Sequence, residues 1–133
     1  MAVGAVLEAV DNIIEAKWKT GFALVRPPGH HSGGRNTING FCIFNNVAVA
    51  AKYIQKKHKK TRVAIFDWDV HHGDGTQHIF LDNQDVLMIS IHRYDRGTFY
   101  PASEDGHVSN MGIGWAEGTQ VNISLDHVDE KFK

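Results

Sequence analysis

The chain has 133 residues, enough for one domain with its own core and too few for a multidomain enzyme. Hydrophobic residues are 42% and charged ones 22%, the mix of a soluble globular protein, and the net charge of -1 excludes an overall basic surface for nucleic acid or a polybasic membrane arm. A lone cysteine, Cys42, excludes an intrachain disulfide framework and a thiolate metal cluster, whereas nine histidines exceed what packing asks for and point to chemistry.

In chain order, Val3, Val6, Leu7, Val10, Ile13 and Ile14 recur at three- and four-residue spacing and predict an amphipathic helix, with Gly21 as its stop signal. Phe22 to Val25 is a short apolar run closed by Arg26-Pro27-Pro28 and predicts a strand. From Gly29 to Asn39 the chain is rich in Gly, Ser, Asn and His without periodicity, a loop. A second helix is expected from about Asn45 to His58, ending in the basic cluster Lys56 to Lys60, which reads as a solvated helix end. Val63 to Phe66 and Val86 to Ile91 are continuous apolar runs, expected as strands buried on both faces, with a brief helical turn at Gln77 to Leu81 between them. Val121 to Leu125 predicts one more strand. No run approaches the roughly 18 apolar residues of a membrane span, and the N-terminus has no secretory signal pattern. A soluble, intracellular protein is expected.

Strands alternating with helices predict an α/β protein with a mainly parallel sheet. Ligands of such sheets bind beyond the carboxyl ends of the strands. The polar clusters Gly29 to His31, Asp67 to Asp74 and His92 to Tyr94 all follow predicted strands, which places them at one rim.

Asp67, Asp69 and His71 are spaced i, i+2, i+4, so on an extended chain they share a face. Two carboxylates and an imidazole converging there repel or stay undersatisfied without a cation. Mixed oxygen and nitrogen donors suit zinc or another transition metal better than calcium. The alternative is an Asp pair that caps the following turn, with His71 a hydrogen-bonded core residue. His30 and His31 form a second group: an imidazole exchanges protons near neutral pH, and Asp67 and Asp74 are available to fix the tautomers. Gly40 with Phe41, and Tyr100 opposite, are candidate walls of a narrow channel, although Phe41 is equally a core residue by type. Cys42 reads as a small buried side chain.

Arg26-Pro-Pro-Gly-His-His31, Gly40-Phe-Cys-Ile-Phe-Asn-Asn46, Asp67-Trp-Asp-Val-His-His-Gly-Asp-Gly-Thr-Gln77 and Ser90-Ile-His-Arg-Tyr94 resemble the zinc-dependent histone deacetylase family, and particularly its class IIb members. The resemblance implies an arginase/deacetylase fold, a three-layer α/β/α sandwich. It implies Asp69 and His71 as zinc ligands, His31 as general base and acid, His30 paired with Asp67, and Asp74 orienting His31. Gly40, Phe41 and Tyr100 would line the tunnel for an acetyl-lysine side chain. Potassium would bind at Asp67, Asp69, His71, Ser90 and Ile91. Substrates would be acetylated lysines of histones or of cytoplasmic proteins such as tubulin, without nucleic acid or membrane partners, in the cytoplasm or nucleus.

The family's third zinc ligand, an aspartate, its catalytic tyrosine and a Gly-Gly loop belong to a later motif that Asp126 to Glu130 does not match. Residues 1–133 are therefore expected to be the central portion of a deacetylase domain, its N- and C-terminal parts lying outside, marginally stable and with little activity alone. Acetylpolyamine hydrolysis and a catalytically incomplete interaction module are the alternatives, with an arginase-like dinuclear hydrolase more distant.

Overall fold

The computed structural model describes residues 1–34, 38–59 and 62–127. Part of the expected histidine loop, the last lysine of the basic cluster and the acidic stretch from residue 128 onward fall outside the described residues.

The first helix, α1 (Ala2–Ile14), buries one side of its apolar stripe only partly. It ends well before Gly21: Ala16 takes a left-handed turn at φ 58°, and the amides of Lys17 and Trp18 return to the Asn12 carbonyl. The second helix, α2 (Asn46–Lys57), starts at Asn45, whose side chain accepts the Ala48 amide hydrogen in an N-cap. One carboxylate fastens the two helices. Asp11 accepts hydrogen bonds from Lys57 Nζ at 2.8 Å, Tyr53 Oη at 2.9 Å and His58 Nε2 at 2.7 Å. Lys57, with His58 and Tyr53, holds the Asp11 carboxyl down to about 2. The basic helix end is thus partly committed to α1.

Strands β1 (Val63–Asp67), β2 (Val86–Arg93) and β3 (Gln120–Leu125) form a parallel sheet in the order β1-β2-β3, with Ile65 opposite Met88 and Met88 opposite Gln120. The crossover from β1 to β2 carries helix α3 (Asp74–Phe80), which starts three residues earlier than the helical turn expected at Gln77. Ala48 and Ala51 of α2, Phe80 of α3, Ile65 and Val86 close the apolar core on one sheet face, with Val63 and Ile79 at its edge. Elsewhere on the same face the sheet turns polar, with Ser90, His92, Gln120 and Asn122 buried.

The opposite face is apolar but open: Phe66, Leu87, Val121, Ile123 and Leu125 are all exposed. The expectation that β1 and β2 are buried on both faces is therefore corrected, because helices α2 and α3 cover one side only. The expected strand at Phe22–Val25 also fails to form a ladder. Phe22 and Leu24 point to solvent, while Ala23 and Val25 face a cavity of about 550 Å3 that separates them from Val63 to Phe66 of β1. Among the described residues, no neighbouring backbone pairs with this segment. No helix among the described residues is long and apolar enough to cross a membrane.

Candidate active site

The histidine loop is clamped from below by α3. Thr76 N donates to His30 O at 3.0 Å, and Asn45 Nδ2 donates to both Ser32 O and Thr76 Oγ1. Gly75 makes this approach possible, since a Cβ there would run into the backbone of His31 and Ser32. Helix α3 thereby sets Asp74, in its first turn, against His31.

Two imidazole–carboxylate pairs result. His31 Nδ1 lies 2.7 Å from Asp74 Oδ1, with both residues buried, and His30 Nδ1 lies 2.8 Å from Asp67 Oδ2. An ionised carboxylate only accepts, so each Nδ1 carries the proton and each Nε2 is the nitrogen left to exchange one. Burial opposes a charge on His30, yet the Asp67 hydrogen bond and the charges of Asp67, Asp69 and Asp74 outweigh it and raise the His30 pKa. The two histidine rings sit 4.1 Å apart.

Asp67, Asp69 and His71 converge by a route the spacing does not show. The strand stops at Asp67, and the next residues bend. Asp67 Oδ1 accepts the Asp69 amide at 3.1 Å, and Asp69 Oδ1 accepts the His71 amide at 2.8 Å, two successive side-chain-capped turns. The turn-capping part of the alternative is thus realised, whereas His71 is no core residue and lines the site's cavity. The two acids also have hydrogen-bond partners within the chain. Asp67 is satisfied by His30 and a backbone amide, and Asp69 by His71. Burial works against the charge on Asp69, but hydrogen bonds from His71 and the charge of His30 hold its pKa below the ordinary value.

The donor atoms nevertheless suit a metal. Asp69 Oδ1 and His71 Nδ1 stand 3.0 Å apart. Two donors on a tetrahedral zinc ion are separated by about 3.3 Å, given zinc bonds near 2.0–2.2 Å. The pair therefore has the chemistry and nearly the spacing of one edge of such a shell. No cluster of three or more His, Cys, Asp or Glu side chains suited to a metal ion occurs among the described residues.

His30, His31, Asp69, His71, Gly40, Phe41 and Tyr100 line one cavity of about 550 Å3, together with Pro28 and Asn39. Asp67 and Asp74 stand behind it, each bonded to a histidine of the wall. Phe41 is no core residue: it is 90% exposed and sits at φ 65°. Tyr100 presents its ring edge-on to His31 and to His71, with centroids 5.0 and 5.5 Å away. Cys42 is fully buried beside this lip, and burial raises its thiol pKa.

Not every histidine of the clusters reaches the cavity. His72 turns into the protein, with Nε2 2.9 Å from Gln77 Oε1, and burial lowers its pKa to about 4. His92 lies under the sheet between Ser90 Oγ and Gly106 O, so the polar rim expected at His92 to Tyr94 is only partly assembled. Sequence reasoning missed Phe99, whose ring stacks on His71 at 5.2 Å and 9° and lies 4.4 Å from the Arg93 guanidinium. The aromatic pair Phe99-Tyr100 was the available signal, since one ring at the cavity implies a neighbour nearby.

Comparison with known proteins agrees with this geometry. Residues 1–132 match the histone deacetylase domain. The chain is 54% identical over 129 residues to histone deacetylase 6 of Caenorhabditis elegans, covering 96% of this chain and 13% of that protein. It is 45% identical over 128 residues to human polyamine deacetylase HDAC10, again over 96% of this chain but 19% of the relative. The solved HD domain of HDA15 superimposes with a TM-score of 0.86 at 46% identity, covering 92% of this chain and 33% of that one. The chain thus spans about a third or less of the proteins it matches. The parallel sheet with helices on one face is a partial arginase/deacetylase α/β fold. This chain belongs to the histone deacetylase family, on its class II branch.

Proposed function

We propose that these residues are the catalytic portion of a zinc-dependent deacetylase acting on acetylated lysine side chains. The observation that carries this is the placement of a carboxylate–imidazole donor pair, Asp69 and His71, in the same cavity as His31, a buried histidine polarised by Asp74. Asp69 and His71 would hold two positions of the zinc shell, against the three protein ligands usual for a catalytic site. When bound there, zinc supplies Lewis acidity to an amide carbonyl and lowers the pKa of water.

The chain's own residues do the remaining work. Asp74 keeps the proton on His31 Nδ1, which leaves Nε2 free to take a proton from water and to return one to a departing amine. His30 and Asp67 place a second imidazole beside the first, 3.9 Å from Asp69 Oδ1 through His30 Nε2. Phe41 and Tyr100 offer aromatic walls to an aliphatic side chain. Oxygens of Asp67, Asp69, His71, Ser90 and Ile91 are the proposed potassium ligands, the Ser90 hydroxyl being buried on the β2 residue opposite Asp67.

Identity to a polyamine deacetylase favours a second reading, hydrolysis of acetylpolyamines by the same groups. The test is acetate release by a domain-length chain carrying these 133 residues. Release from an acetyl-lysine peptide, lost on chelation and restored by zinc, is the expected result. Release from acetylspermidine alone favours the second reading, and release from neither substrate rejects both.

A further inference from the structure

We propose that Tyr100 is a positioning residue whose hydroxyl latches the Asn39–Phe41 lip over the pocket that holds His31 and His71. Tyr100 Oη donates to Asn39 Oδ1 at 2.5 Å, and the same oxygen accepts the Gly40 amide hydrogen at 3.0 Å. The Cys42 amide closes the turn on Asn39 O at 2.8 Å. Gly40 and Phe41 lie consecutively in the left-handed region, at φ 53° and 65°. Glycine accepts that conformation freely; a bulky aromatic residue does not, and needs its surroundings to hold it. The Phe41 ring, largely in solvent, gains little packing that would do so. A side chain at Gly40 would collide with the His31 ring and come within 3.0 Å of the Tyr100 hydroxyl, so the lip sits directly on both groups.

The Tyr100 ring is anchored by its edge contacts to the two histidines, a role phenylalanine fills equally well. Only the hydroxyl reaches Asn39. A tyrosine hydroxyl is protonated at neutral pH and so serves as the donor. The hydrogen bond therefore ties the Asn39–Phe41 side of the pocket to Tyr100 and sets the gap between Phe41 and Tyr100. The consequence for substrate rests on the deacetylase proposal: loosening the lip weakens positioning of an acyl-lysine chain, raising KM with little change in kcat.

Cys42 gives a readout that needs neither metal nor substrate. It is the chain's one cysteine, fully buried, with Sγ 3.4 Å from Gly40 O, and a thiol reagent reaches it only when the lip opens. Tyr100→Phe is expected to label about three- to tenfold faster, the range set by losing one hydrogen bond. Asn39→Ala should match it, and the double variant should be no faster than either single one. Asn39→Asp, which keeps the acceptor, should label at the wild-type rate. Should Tyr100→Phe misfold by circular dichroism, the Asn39→Ala and Asn39→Asp comparison decides. Unchanged labelling in the alanine variant, or equal acceleration in both Asn39 variants, overturns the latch. A normal latch in a chain that releases no acetate instead rejects the deacetylase proposal alone.

Discussion

Replacing His31 with alanine should lower acetate release from an acetyl-lysine peptide by about 100- to 10,000-fold, the usual share of a positioned general base. The measurement belongs in a domain-length chain carrying these residues. His31 is buried and its Nδ1 is committed to Asp74 at 2.7 Å, so Nε2 is its one proton-exchanging atom. The neighbouring His30 is not expected to substitute for it, since its Nε2 faces Asp69 Oδ1, 3.9 Å away. The alanine leaves Asp69 and His71 in place, so zinc content is expected to match the wild type. Loss of turnover with metal retained is the signature of the proposed role; a rate near wild type removes His31 from the mechanism.

The second large effect is on stability. Phe80→Ala should cost about 3–5 kcal/mol, measured by urea unfolding, because a large buried ring leaves a cavity its neighbours fill only partly. Phe80 is fully buried and joins α2, β1 and β2 in one cluster with Ala48, Ala51, Ile65 and Val86. The facing residues on α2 are alanines, too small to collapse into the space. Typical domains hold only about 5–15 kcal/mol in reserve, and this one leaves an apolar sheet face exposed. The loss should therefore remove a large share of the stability. A loss below about 1 kcal/mol would show that the cluster is not the core of the fold.

Much of this architecture is legible along the chain because it depends on local chemistry. The capping side chain of Asn45, the apolar run from Val63 and the turn-forming acids after Asp67 each act on their own backbone. What is less legible depends on partners distant in sequence. An apolar run such as Phe22 to Val25 signals an extended segment but not whether another backbone lies beside it. The runs of β1 and β2 signal burial, yet which faces are covered depends on where the helices fall. Adjacent histidines pose the same problem within the site: His71 faces the cavity and His72, the next residue, turns away from it. Convergence of Asp67, Asp69 and His71 was expected from strand alternation and arises instead from side-chain-capped turns. Those turns satisfy the acids by hydrogen bonding, and the assignment of Asp69 and His71 to a metal rests on the deacetylase proposal.

A zinc titration of the 133-residue chain, followed through the imidazole nitrogen resonances, tests that donor pair directly. The His71 ring signals are expected to shift with added zinc and to lose the response in Asp69→Ala. His72, buried one residue away and bonded to Gln77, should stay unmoved throughout. A His71 signal indifferent to saturating zinc, or a response that survives in Asp69→Ala, would contradict the assignment of Asp69 and His71 as one edge of the metal site.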